Sequence, residues 1–299
     1  MAHSVRCISK DGTLFVMAAD TTDIVETARR LHHTSKVCSA ALGRLLTGCS
    51  FMGQLLKGND DTVTLRVKGG GEAGVVVAVA DSDGNVKGYI ENPNVELPLN
   101  SKGKLDVGGA VGKDGYITVM RDLGLKEPYI GQTPLVSGEI AEDITAYYAM
   151  SEQTPTVCAL GVLVNPDLTI AVAGGFMVQL LPTADSEAID RVEKCIQDIP
   201  AVTTMLAEGL TPLDICRKVL SEFELEQLDE SFPEYRCDCS RDRVARALVT
   251  LGKEELLSMA QDEFTEVNCH FCNKKYKFTP AYKKANGKRV FEFFSEQFL

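Results

Sequence analysis

Residues 235–276 read YRCDCSRDRVARALVTLGKEELLSMAQDEFTEVNCHFCNKKY and place two cysteine pairs of different spacing near the end of the chain. The first pair is Cys237-x-Cys239, and the second pair is Cys269-x-x-Cys272. Two thiolate pairs separated by a folded insert are the usual way to build a four-coordinate zinc site, because the insert brings the two pairs together around the ion. The stretch therefore predicts one tetrahedral Zn²⁺ per chain, bound by four cysteine thiolates.

The insert between the two pairs has the signals of two helices. Ser240 is a cap before RDRVARALVTL, Gly252 is a C-terminal stop, and KEELLSMAQDEF follows as a second helix. His270 lies inside the second cysteine pair, but four thiols already complete the coordination shell. A catalytic zinc would keep one position open for water, and four protein ligands leave none.

Basic residues near the cysteines indicate that the same site can respond to oxidants. Positive charge favours the thiolate, and the thiolate is the form that peroxide or hypochlorous acid attacks. The Cys-x-Cys half is also unusual, because zinc fingers and ribbons normally use Cys-x₂₋₄-Cys for both halves. The basic residues are Arg236, Arg241, Arg243, Lys274, Lys275 and Lys277. A structural zinc contributes on the order of 10–16 kcal/mol in small domains, so loss of the metal is expected to unfold this segment.

The whole chain has the composition of a globular protein, with 299 residues of which 44% are hydrophobic. Its first twenty residues lack the basic start and the apolar run of a signal peptide. No window reaches the roughly twenty apolar residues that a membrane-spanning helix needs. We therefore expect a soluble, cytoplasmic protein without a membrane partner. In a reducing compartment, its cysteines should be thiols, metal ligands or redox sensors.

The remaining cysteines are scattered, and we interpret them as small buried or half-buried residues. They are Cys7, Cys38, Cys49, Cys158, Cys195 and Cys216. The net charge of −11 is uneven: residues 1–230 hold 32 acidic and 19 basic residues, whereas residues 231–299 hold 10 acidic and 12 basic residues. An acidic body repels nucleic acid and anionic membranes, although the slightly basic end leaves phosphate binding open.

The fold class predicted from the sequence is α+β. Residues 1–181 read as one N-terminal domain of mostly antiparallel sheet with packed helices, including a helix capped at Thr22 and another capped at Ser35. The middle of this domain reads as antiparallel hairpins, and Asn165-Pro166-Asp167 reads as a turn between two later strands. Residues 182–231 read as an acidic helical linker, in which Thr211-Pro212-Leu213-Asp214 is a helix start. Residues 232–299 read as a small zinc-binding domain. Ordinary packing of the linker helices on the first domain is as compatible with the pattern as an independent role.

Other motifs in the chain do not indicate an enzyme. Gly69-Gly70-Gly71 lacks the downstream Gly-Lys-Ser/Thr of a phosphate loop and is interpreted as a hairpin turn. His32-His33 is interpreted as a helix end at the surface. Glu139, Glu142 and Asp143 are interpreted as the first turn of a helix, favoured there by the helix dipole, and not as an acid–base pair. We find no nucleophile elbow and no zinc-protease motif, so no catalytic residue is predicted.

Several stretches together resemble one family. Cys-x-Cys followed after the insert by Cys-x-x-Cys resembles the bacterial 33 kDa redox-regulated chaperonin, the heat shock protein 33 family. The N-terminal stretches VKGYIENP (86–93), EPYIGQTPLVSGEIAEDITAYYAMSEQTPT (127–156) and GGFMVQLLP (174–182) look like that family as well. The resemblance covers nearly the whole chain. After the second cysteine pair, however, the tail YKFTPAYKKANGKRVFEFFSEQFL departs from the family's short helical ending, and its role is open.

The resemblance implies an ATP-independent holdase that binds unfolding proteins, and not an enzyme. It implies a zinc-bound, largely inactive reduced state and a homodimer that needs no nucleotide. On oxidation it implies the disulfides Cys237–Cys239 and Cys269–Cys272, zinc release, and unfolding of the C-terminal domain and linker. Cys195 and Cys216 in the linker could then form off-pathway disulfides.

Two alternatives of other classes remain at this stage. A constitutive zinc-ribbon protein that binds nucleic acid would account for the last part of the chain, but it should have a basic, aromatic face. A thiol oxidoreductase would need a Cys-x-x-Cys that opens a helix after a strand, whereas Cys269 and Cys272 are followed by NKKYKF, which reads as a strand. The acidic residues 1–230 and this strand favour the redox-regulated chaperone over the two alternatives. We therefore expect no nucleic-acid partner.

Overall fold

The structure is a computed structural model of the chain. It describes residues 1–251, 253–259, 264–279, 281–285 and 288–292. The chain divides into two compact units, Met1–Arg236 and Cys237–Leu299. The three-part division at residues 181 and 231 stays a prediction. In the ranges just given, no helix combines the length and the apolar character needed to cross a membrane. The α+β class is confirmed by the elements that follow.

The first unit contains two antiparallel five-stranded sheets, where the sequence pattern suggested one mostly antiparallel sheet. The strands of the first sheet are β1 His3–Ser9, β2 Leu14–Asp20, β8 Thr156–Val164, β9 Ile170–Leu180 and β10 Leu225–Ser231. They lie in the order β10-β1-β2-β9-β8. The predicted turn Asn165-Pro166-Asp167 joins β8 and β9, and Asn165 accepts a backbone hydrogen bond from Leu168 at 3.0 Å.

The two faces of the first sheet belong to two different hydrophobic cores. Met17 and Ala19 of β2 pack in the larger core, whereas Val16 and Ala18 pack in the smaller one. Side chains of a strand point alternately to opposite faces, so a strand buried on both sides reads as a continuous apolar run. Helices therefore cover both faces of this sheet.

The second sheet accounts for the hairpins predicted in the middle of the chain. Its strands are β3 Thr62–Lys68, β4 Val75–Asp81, β5 Val86–Ile90, β6 Tyr116–Asp122 and β7 Tyr129–Pro134. They lie in the order β5-β4-β3-β6-β7. Gly69-Gly70-Gly71 stands in the connection between β3 and β4, and Gly70 takes a φ of 79°, so the predicted hairpin turn is confirmed. In β3, Val63, Leu65 and Val67 are fully buried, as the alternation of the strand predicts.

Helices of the first unit fill the space between these sheets. They are α1 Thr22–His32, α2 Lys36–Gln54, α3 Val107–Val111, α4 Ala141–Tyr147 and a π-helix at Tyr148–Glu152. Lys36 and Arg44 are the only residues among the 19 of α2 that are not buried. A helix that is apolar nearly all round must be buried on all sides, and α2 packs against strands of both sheets.

The predicted N-cap at Ser35 is confirmed, and the predicted N-cap at Thr22 is displaced by one residue. Ser35 caps α2, with its side chain accepting a hydrogen bond from the Cys38 amide. The predicted cap at Thr22 is wrong by one residue, since α1 starts at Thr22 and Thr21 is its N-cap. The Thr22 hydroxyl instead donates to the Asp20 carboxylate at 2.6 Å. Three consecutive polar residues at 20–22 compete for the cap, which the sequence pattern cannot resolve.

The segment predicted as a helical linker packs on the first sheet. Its helices are α5 Ser186–Gln197, α6 Val202–Ala207 and α7 Pro212–Val219. The capping box predicted at Thr211 and Asp214 is present. The end of the segment is strand β10, which pairs antiparallel with β1. The strand was not indicated by the sequence because LEQLDES is acidic and mostly exposed, without alternating burial.

The second unit contains short elements. They are α8 Arg241–Val249, α9 Lys253–Met259, β11 Thr265–Asn268, β12 Lys275–Phe278, β13 Ala281–Ala285 and β14 Lys288–Glu292. Strand β11 pairs with β12, and β13 pairs with β14, so the tail after Phe278 contains a hairpin. Ser240 caps α8 as predicted. Gly252, the predicted helix stop, lies outside the described residues, as do residues 260–263 of the predicted second helix.

Candidate metal centre

Two short loops bring the four cysteines of the second unit together. Cys237 and Cys239 lie just before α8, whose start is fixed by the Ser240 hydroxyl accepting from the Arg243 amide at 3.2 Å. Cys269 and Cys272 lie in the turn between β11 and β12. In that turn, the Cys269 amide donates to the Lys274 carbonyl at 3.0 Å, and the Asn273 amide donates to the Cys269 carbonyl at 2.8 Å. The segment between the two cysteine pairs thus brings the two loops together.

The four sulfur atoms form a compact group of the size that zinc requires. All four Sγ atoms lie within 4.8 Å of one another. Cys237 Sγ is 3.7 Å from Cys269 Sγ, and Cys239 Sγ is 3.3 Å from Cys272 Sγ. A tetrahedral zinc with bonds of about 2.3 Å to sulfur separates its ligands by about 3.8 Å. The donor set and the spacing therefore fit a tetrahedral thiolate site for one metal ion.

The hydrophobic core beside the cysteines is small. The buried apolar residues of the second unit form one cluster of four, Ala245, Leu248, Tyr276 and Phe278, among the residues that the structure describes there. Cys239 and Cys269 pack against this cluster. A core of this size is well below what a domain needs to fold by apolar burial alone. A bound metal would add to the stability that this cluster provides.

Tyr276 of β12 contacts the sulfur group directly. Its hydroxyl donates a hydrogen bond to Cys239 Sγ at 3.1 Å, while 6% of the residue is exposed. Burial raises the pKa of the Cys239 thiol, but hydrogen bonds from Tyr276 and from the other cysteines outweigh burial and lower that pKa to about 7. Burial is the main cause that raises the pKa of Cys272 to about 11. The Cys239 thiol therefore becomes a thiolate more readily than the Cys272 thiol.

The contact of Tyr276 with the cysteines was not predicted from the sequence. Its signal was weak, because an aromatic residue in a short strand after a cysteine knuckle is equally compatible with a purely apolar role. Tyr276 follows the second cysteine pair in the sequence, but its hydroxyl lies beside Cys239 of the first pair. This contact can be predicted only when the arrangement of the two loops is known.

Comparison with known proteins now identifies the family. A family model described as Hsp33 protein matches residues 3–279. The chain belongs to the heat shock protein 33 family. The resemblance noted in the sequence is thereby confirmed over nearly the whole chain.

Relatives of this family match the chain along most of its length. The 33 kDa chaperonin of Acetivibrio thermocellus is 50% identical over 278 residues, which cover 93% of this chain and 94% of that protein. The 33 kDa chaperonin of Clostridium acetobutylicum is 48% identical over 277 residues, which cover 92% of this chain and 93% of that protein. These names are those of chaperones and not of enzymes, so the comparisons support a chaperone function.

The fold is also similar to a solved structure. The crystal structure of the 33 kDa chaperonin (heat shock protein 33 homolog) of Thermotoga maritima matches with a TM-score of 0.85 and 38% sequence identity. The match covers 93% of this chain and 94% of that chain. The α+β architecture is thus that of a heat shock protein 33.

Three of the basic residues near the cysteines of this heat shock protein 33 chain form ion pairs with carboxylates. Arg243 forms an ion pair with Asp238, and Lys275 binds Glu266 at 2.8 Å. Arg236 belongs to the first unit and binds Asp81 there at 2.6 Å. Nearby carboxylates therefore neutralise part of the positive charge that is expected to favour the thiolates.

Two further basic residues lie over aromatic rings. The Arg241 guanidinium is 4.5 Å from the centroid of the Phe278 ring, and Lys274 Nζ is 5.5 Å from that of Tyr276. Cations over aromatic faces are attracted by the ring quadrupole. Two positively charged side chains thus lie over rings that belong to the small core of the second unit.

The remaining sequence candidates have structural roles in this family member. Asp143 is fully buried and its carboxylate accepts hydrogen bonds from the Val136 amide at 2.8 Å and the Ile140 amide at 2.9 Å. Glu142 and Asp143 lie in the first turn of α4, as predicted, whereas Glu139 precedes the N-cap of the helix and binds Arg44, so the prediction is wrong for Glu139. These carboxylates organise the turn that leads into α4 and do not face each other as an acid–base pair.

The two histidine predictions are also resolved by position. His33 is the C-cap of α1 with a φ of 52°, so the predicted helix end is confirmed. His270 is exposed and lies outside the group of potential metal ligands. The prediction that His270 does not replace a cysteine agrees with this placement.

The scattered cysteines are buried or half-buried, as predicted. Cys7, Cys38, Cys49 and Cys216 are buried, and Cys158 and Cys195 are intermediate. Burial raises the pKa of the Cys158 thiol to about 12. Thiols of this kind are chemically inert unless a second group activates them.

Proposed function

We propose that this chain is an ATP-independent holdase of the heat shock protein 33 family in which the four clustered cysteines bind one Zn²⁺ and act as a redox switch. The observation that carries the proposal is the convergence of Cys237, Cys239, Cys269 and Cys272 within 4.8 Å. A purely structural zinc knuckle would use the same four ligands, so the regulatory part rests on the reactivity of the thiolates and on the family.

Bound zinc would hold the four sulfurs as thiolates and supply the stability that the small core lacks. The pKa of the Cys239 thiol is lowered to about 7, and thiolate character governs attack on peroxide. A thiolate sulfur attacks the peroxide oxygen and becomes a sulfenic acid, with water as the other product after protonation. The sulfenic sulfur then accepts attack by the neighbouring thiol, and a second water leaves as the disulfide forms.

The expected disulfides are Cys237–Cys239 and Cys269–Cys272, one within each loop. The contacts between the loops are equally short, so proximity alone does not select this pairing, and the pairing rests on the family. Two disulfides consume two molecules of hydrogen peroxide and leave no thiolate to hold the metal. The second unit then loses its main source of stability and unfolds.

The released segments would form the client-binding surface. The helices α5 and α7 carry strongly apolar faces within an acidic segment, which suits reversible exposure to unfolding proteins. We expect a homodimer in a reducing cytoplasm, without nucleotide, nucleic acid or membrane as a partner. Unfolding client proteins would be the binding partners of the oxidised form.

The two alternative functions have less support. A nucleic-acid-binding ribbon needs free basic side chains, whereas Lys275 and Arg243 are paired with carboxylates. A thiol oxidoreductase needs its Cys-x-x-Cys at the start of a helix. Cys269 and Cys272 instead occupy a turn between two strands, β11 and β12.

The proposal is tested by oxidising the reduced, zinc-loaded protein with hydrogen peroxide at mildly raised temperature. Zinc release is followed with a chromogenic chelator, and the aggregation of a heat-denatured test protein is followed by light scattering in the same sample. We expect about one zinc per chain to be released as aggregation is suppressed. A thiol reductant should reverse the suppression.

A matched control is Cys158→Ala, which removes a thiol of β8 outside the segment proposed to bind clients and should leave zinc release and holdase activity unchanged. If the metal stays bound under oxidation, or leaves without any gain in client binding, the four cysteines are structural only and the proposed switch is wrong.

A further inference from the structure

Residues 234–236, at the end of the first unit, add a short parallel segment to the edge of the second sheet. Strand β5 is the last strand on one side of that sheet, next to β4. Val86 of β5 forms a parallel bridge with Tyr235. The Val86 amide donates to the Glu234 carbonyl at 2.9 Å, and the Val86 carbonyl accepts from the Arg236 amide at 3.0 Å. The chain thus covers part of this edge with its own backbone.

The pairing of β5 with β4 decides which backbone groups face this edge. The Asp81 amide donates to the Asn85 carbonyl at 3.0 Å, so the backbone groups of Asn85, just before β5, face β4. In an antiparallel pair, successive residues direct their backbone groups alternately toward the partner strand and away from it. The amides and carbonyls of Val86 and Gly88 therefore face away from β4. A row of such groups is a template for a further strand.

The side chain of Tyr235 extends this pairing along β5. Its hydroxyl donates to the Gly88 carbonyl at 2.8 Å and accepts from the Gly88 amide at 3.4 Å. The hydroxyl oxygen also lies 3.2 Å from Nε2 of His32, the last residue of α1, and the side chain packs against the larger core. The edge thus has a position for one aromatic side chain, with polar partners for a hydroxyl at its far end.

The turn before β5 binds the residues on either side of this aromatic side chain. The Glu234 amide donates to Asn85 Oδ1 at 3.0 Å. The Arg236 guanidinium binds the Asp81 carboxylate at 2.6 Å and lies 4.0 Å from the Asp83 carboxylate. The edge therefore fits an extended peptide in which an aromatic residue is followed by a basic one.

We propose that the outer edge of β5 is a docking site for an extended segment of an unfolding protein, which pairs with β5 and inserts an aromatic side chain in the place of Tyr235. Residues 234–236 are an internal competitor that covers the site in the folded chain. The assignment to clients rests on the proposed function, to which it adds a mode of recognition. A strand added to a sheet edge gains affinity from main-chain hydrogen bonds, which almost any sequence can form, and specificity from side-chain pockets.

The internal competitor is short, and it leads directly into the cysteine cluster. One parallel bridge holds its backbone, and a pairing of this length is marginally stable by itself. Cys237, the first of the four clustered cysteines, is the next residue of the chain. Unfolding of the second unit would therefore release one end of the competitor and raise the fraction of molecules with an open edge. The apparent affinity for a docking peptide rises in proportion to that fraction.

The experiment first opens the edge without oxidation, in the full-length, reduced and zinc-loaded protein. The probe is the synthetic peptide SFPEYR, the sequence of residues 231–236, with a fluorescent label at its N-terminus. Tyr235→Ala empties the aromatic position and weakens the internal competitor. Fluorescence anisotropy should show that the peptide binds this variant at least about tenfold more tightly than reduced wild type. Hydrogen exchange of the Val86 and Gly88 amides should slow when the peptide binds.

Two controls test whether the aromatic side chain and this edge are responsible. The peptide SFPEAR lacks the tyrosine and should bind Tyr235→Ala at least about tenfold more weakly than SFPEYR does, since buried aromatic anchors dominate peptide affinity. Tyr129→Ala is the matched protein variant, because Tyr129 is an aromatic residue of β7, the strand at the opposite edge of the same sheet. It should bind SFPEYR as weakly as reduced wild type does.

Oxidised wild type provides a second measurement that needs no substitution. After treatment with hydrogen peroxide at mildly raised temperature, it should bind SFPEYR with the same slowing of exchange at Val86 and Gly88. A permanently unfolded, carboxymethylated test protein in excess should displace the labelled peptide, because both occupy the edge of β5.

Failure of both Tyr235→Ala and oxidised wild type to bind SFPEYR would overturn the docking site, as would binding that leaves the exchange of Val86 and Gly88 unchanged. A peptide that the unfolded protein does not displace would overturn the role of the site in client recognition. Zinc release and suppression of aggregation, measured on the same preparations, report on the proposed function separately. If oxidised wild type retains its zinc while Tyr235→Ala binds the peptide, the docking site is supported and the redox switch is wrong.

Discussion

The two compact units are stabilised in different ways. The first unit has two extensive hydrophobic cores, in which α2 is buried between two sheets and α5–α7 cover the outer face of one of them. Among its described residues, the second unit has a core of four buried apolar residues beside four sulfur atoms. Apolar burial does not depend on redox state, whereas a thiolate site does. The proposed switch therefore places the redox-dependent part of the stability in the second unit.

Removal of the metal should have the largest effect and should separate the two units. Structural zinc is worth on the order of 10–16 kcal/mol in small domains, which exceeds the stability of a typical small unit. Treatment of the reduced protein with a strong zinc chelator should therefore unfold the second unit and leave the first folded. Hydrogen exchange of residues 237–251 and 264–279, compared with that of α2, measures both outcomes.

Cys269→Ser provides the same test without a chelator, since it removes one of the four ligands. If residues 264–279 keep their protection in this variant, the second unit is stable without the metal, and the contrast between the units disappears.

A core substitution in the first unit should give the opposite pattern. Phe51 of α2 is fully buried in the larger core. Phe51→Ala should lower the free energy of unfolding of the first unit by about 3–5 kcal/mol, because it removes buried apolar surface and leaves a cavity. Zinc content should stay at one ion per chain. Denaturant unfolding and metal analysis of the same preparation measure the two quantities, and a loss of zinc here would mean that the units do not fold independently.

The sequence predicted those features of both units that depend on local patterns. The caps at Ser35, Thr211 and Ser240 and the turn at Asn165 follow from side chains that bond to the nearby backbone, and they are present. The cysteine spacing predicted the convergence of four sulfurs, because each short pair can wrap one side of an ion. Local chemistry was therefore sufficient for the candidate site.

Features that depend on distant contacts were missed. Strand β10 gains its partner, β1, from the opposite end of the first unit, and its acidic residues carry no alternation to indicate a strand. The division of the strands into two sheets likewise depends on α2, which separates them. Without pairing information, propensity cannot specify such contacts.

A smaller change should tune the metal centre without unfolding the second unit. Tyr276→Phe keeps the buried ring and removes only the hydroxyl that donates to Cys239 Sγ. A lost hydrogen bond of this kind is worth about 1.4 kcal/mol, so we expect zinc affinity to fall about tenfold. Competition with a chelator of known affinity measures the change.

The substitution should also shift the thiolate-to-metal absorption of the protein loaded with Co²⁺, which a purely structural role of the ring would not affect. Tyr129→Phe is the matched control, since it removes a hydroxyl from a side chain of the first unit that is 46% exposed. Unchanged affinity and an unchanged spectrum in Tyr276→Phe would mean that the hydroxyl does not stabilise the thiolate.

The smallest effect concerns an ion pair of the first unit. The Glu26 carboxylate accepts from the Arg29 guanidinium at 2.7 Å and from the Ile170 amide at 3.0 Å, and so connects α1 to the start of β9. The hydrogen bond with Arg29 is the main cause that lowers the pKa of Glu26 below its ordinary value. The stabilisation is therefore fully present above the ordinary glutamate pKa and is lost as the pH falls through the lower pKa of the folded state.

Glu26→Gln should remove this part of the acid dependence of the first unit. The effect should be less than about 1 kcal/mol near neutral pH, because the pair is partly exposed to solvent, and it should shrink as the pH falls below 4. Unfolding of wild type and variant across the acid range, with the first unit monitored by hydrogen exchange, measures the difference. Because Glu26 connects α1 to β9, and neither element belongs to the segment proposed to be released on oxidation, the difference should be the same with and without peroxide. A difference that changes on oxidation would show that the stability of the first unit depends on redox state as well, and the contrast between the two units would then have to be revised.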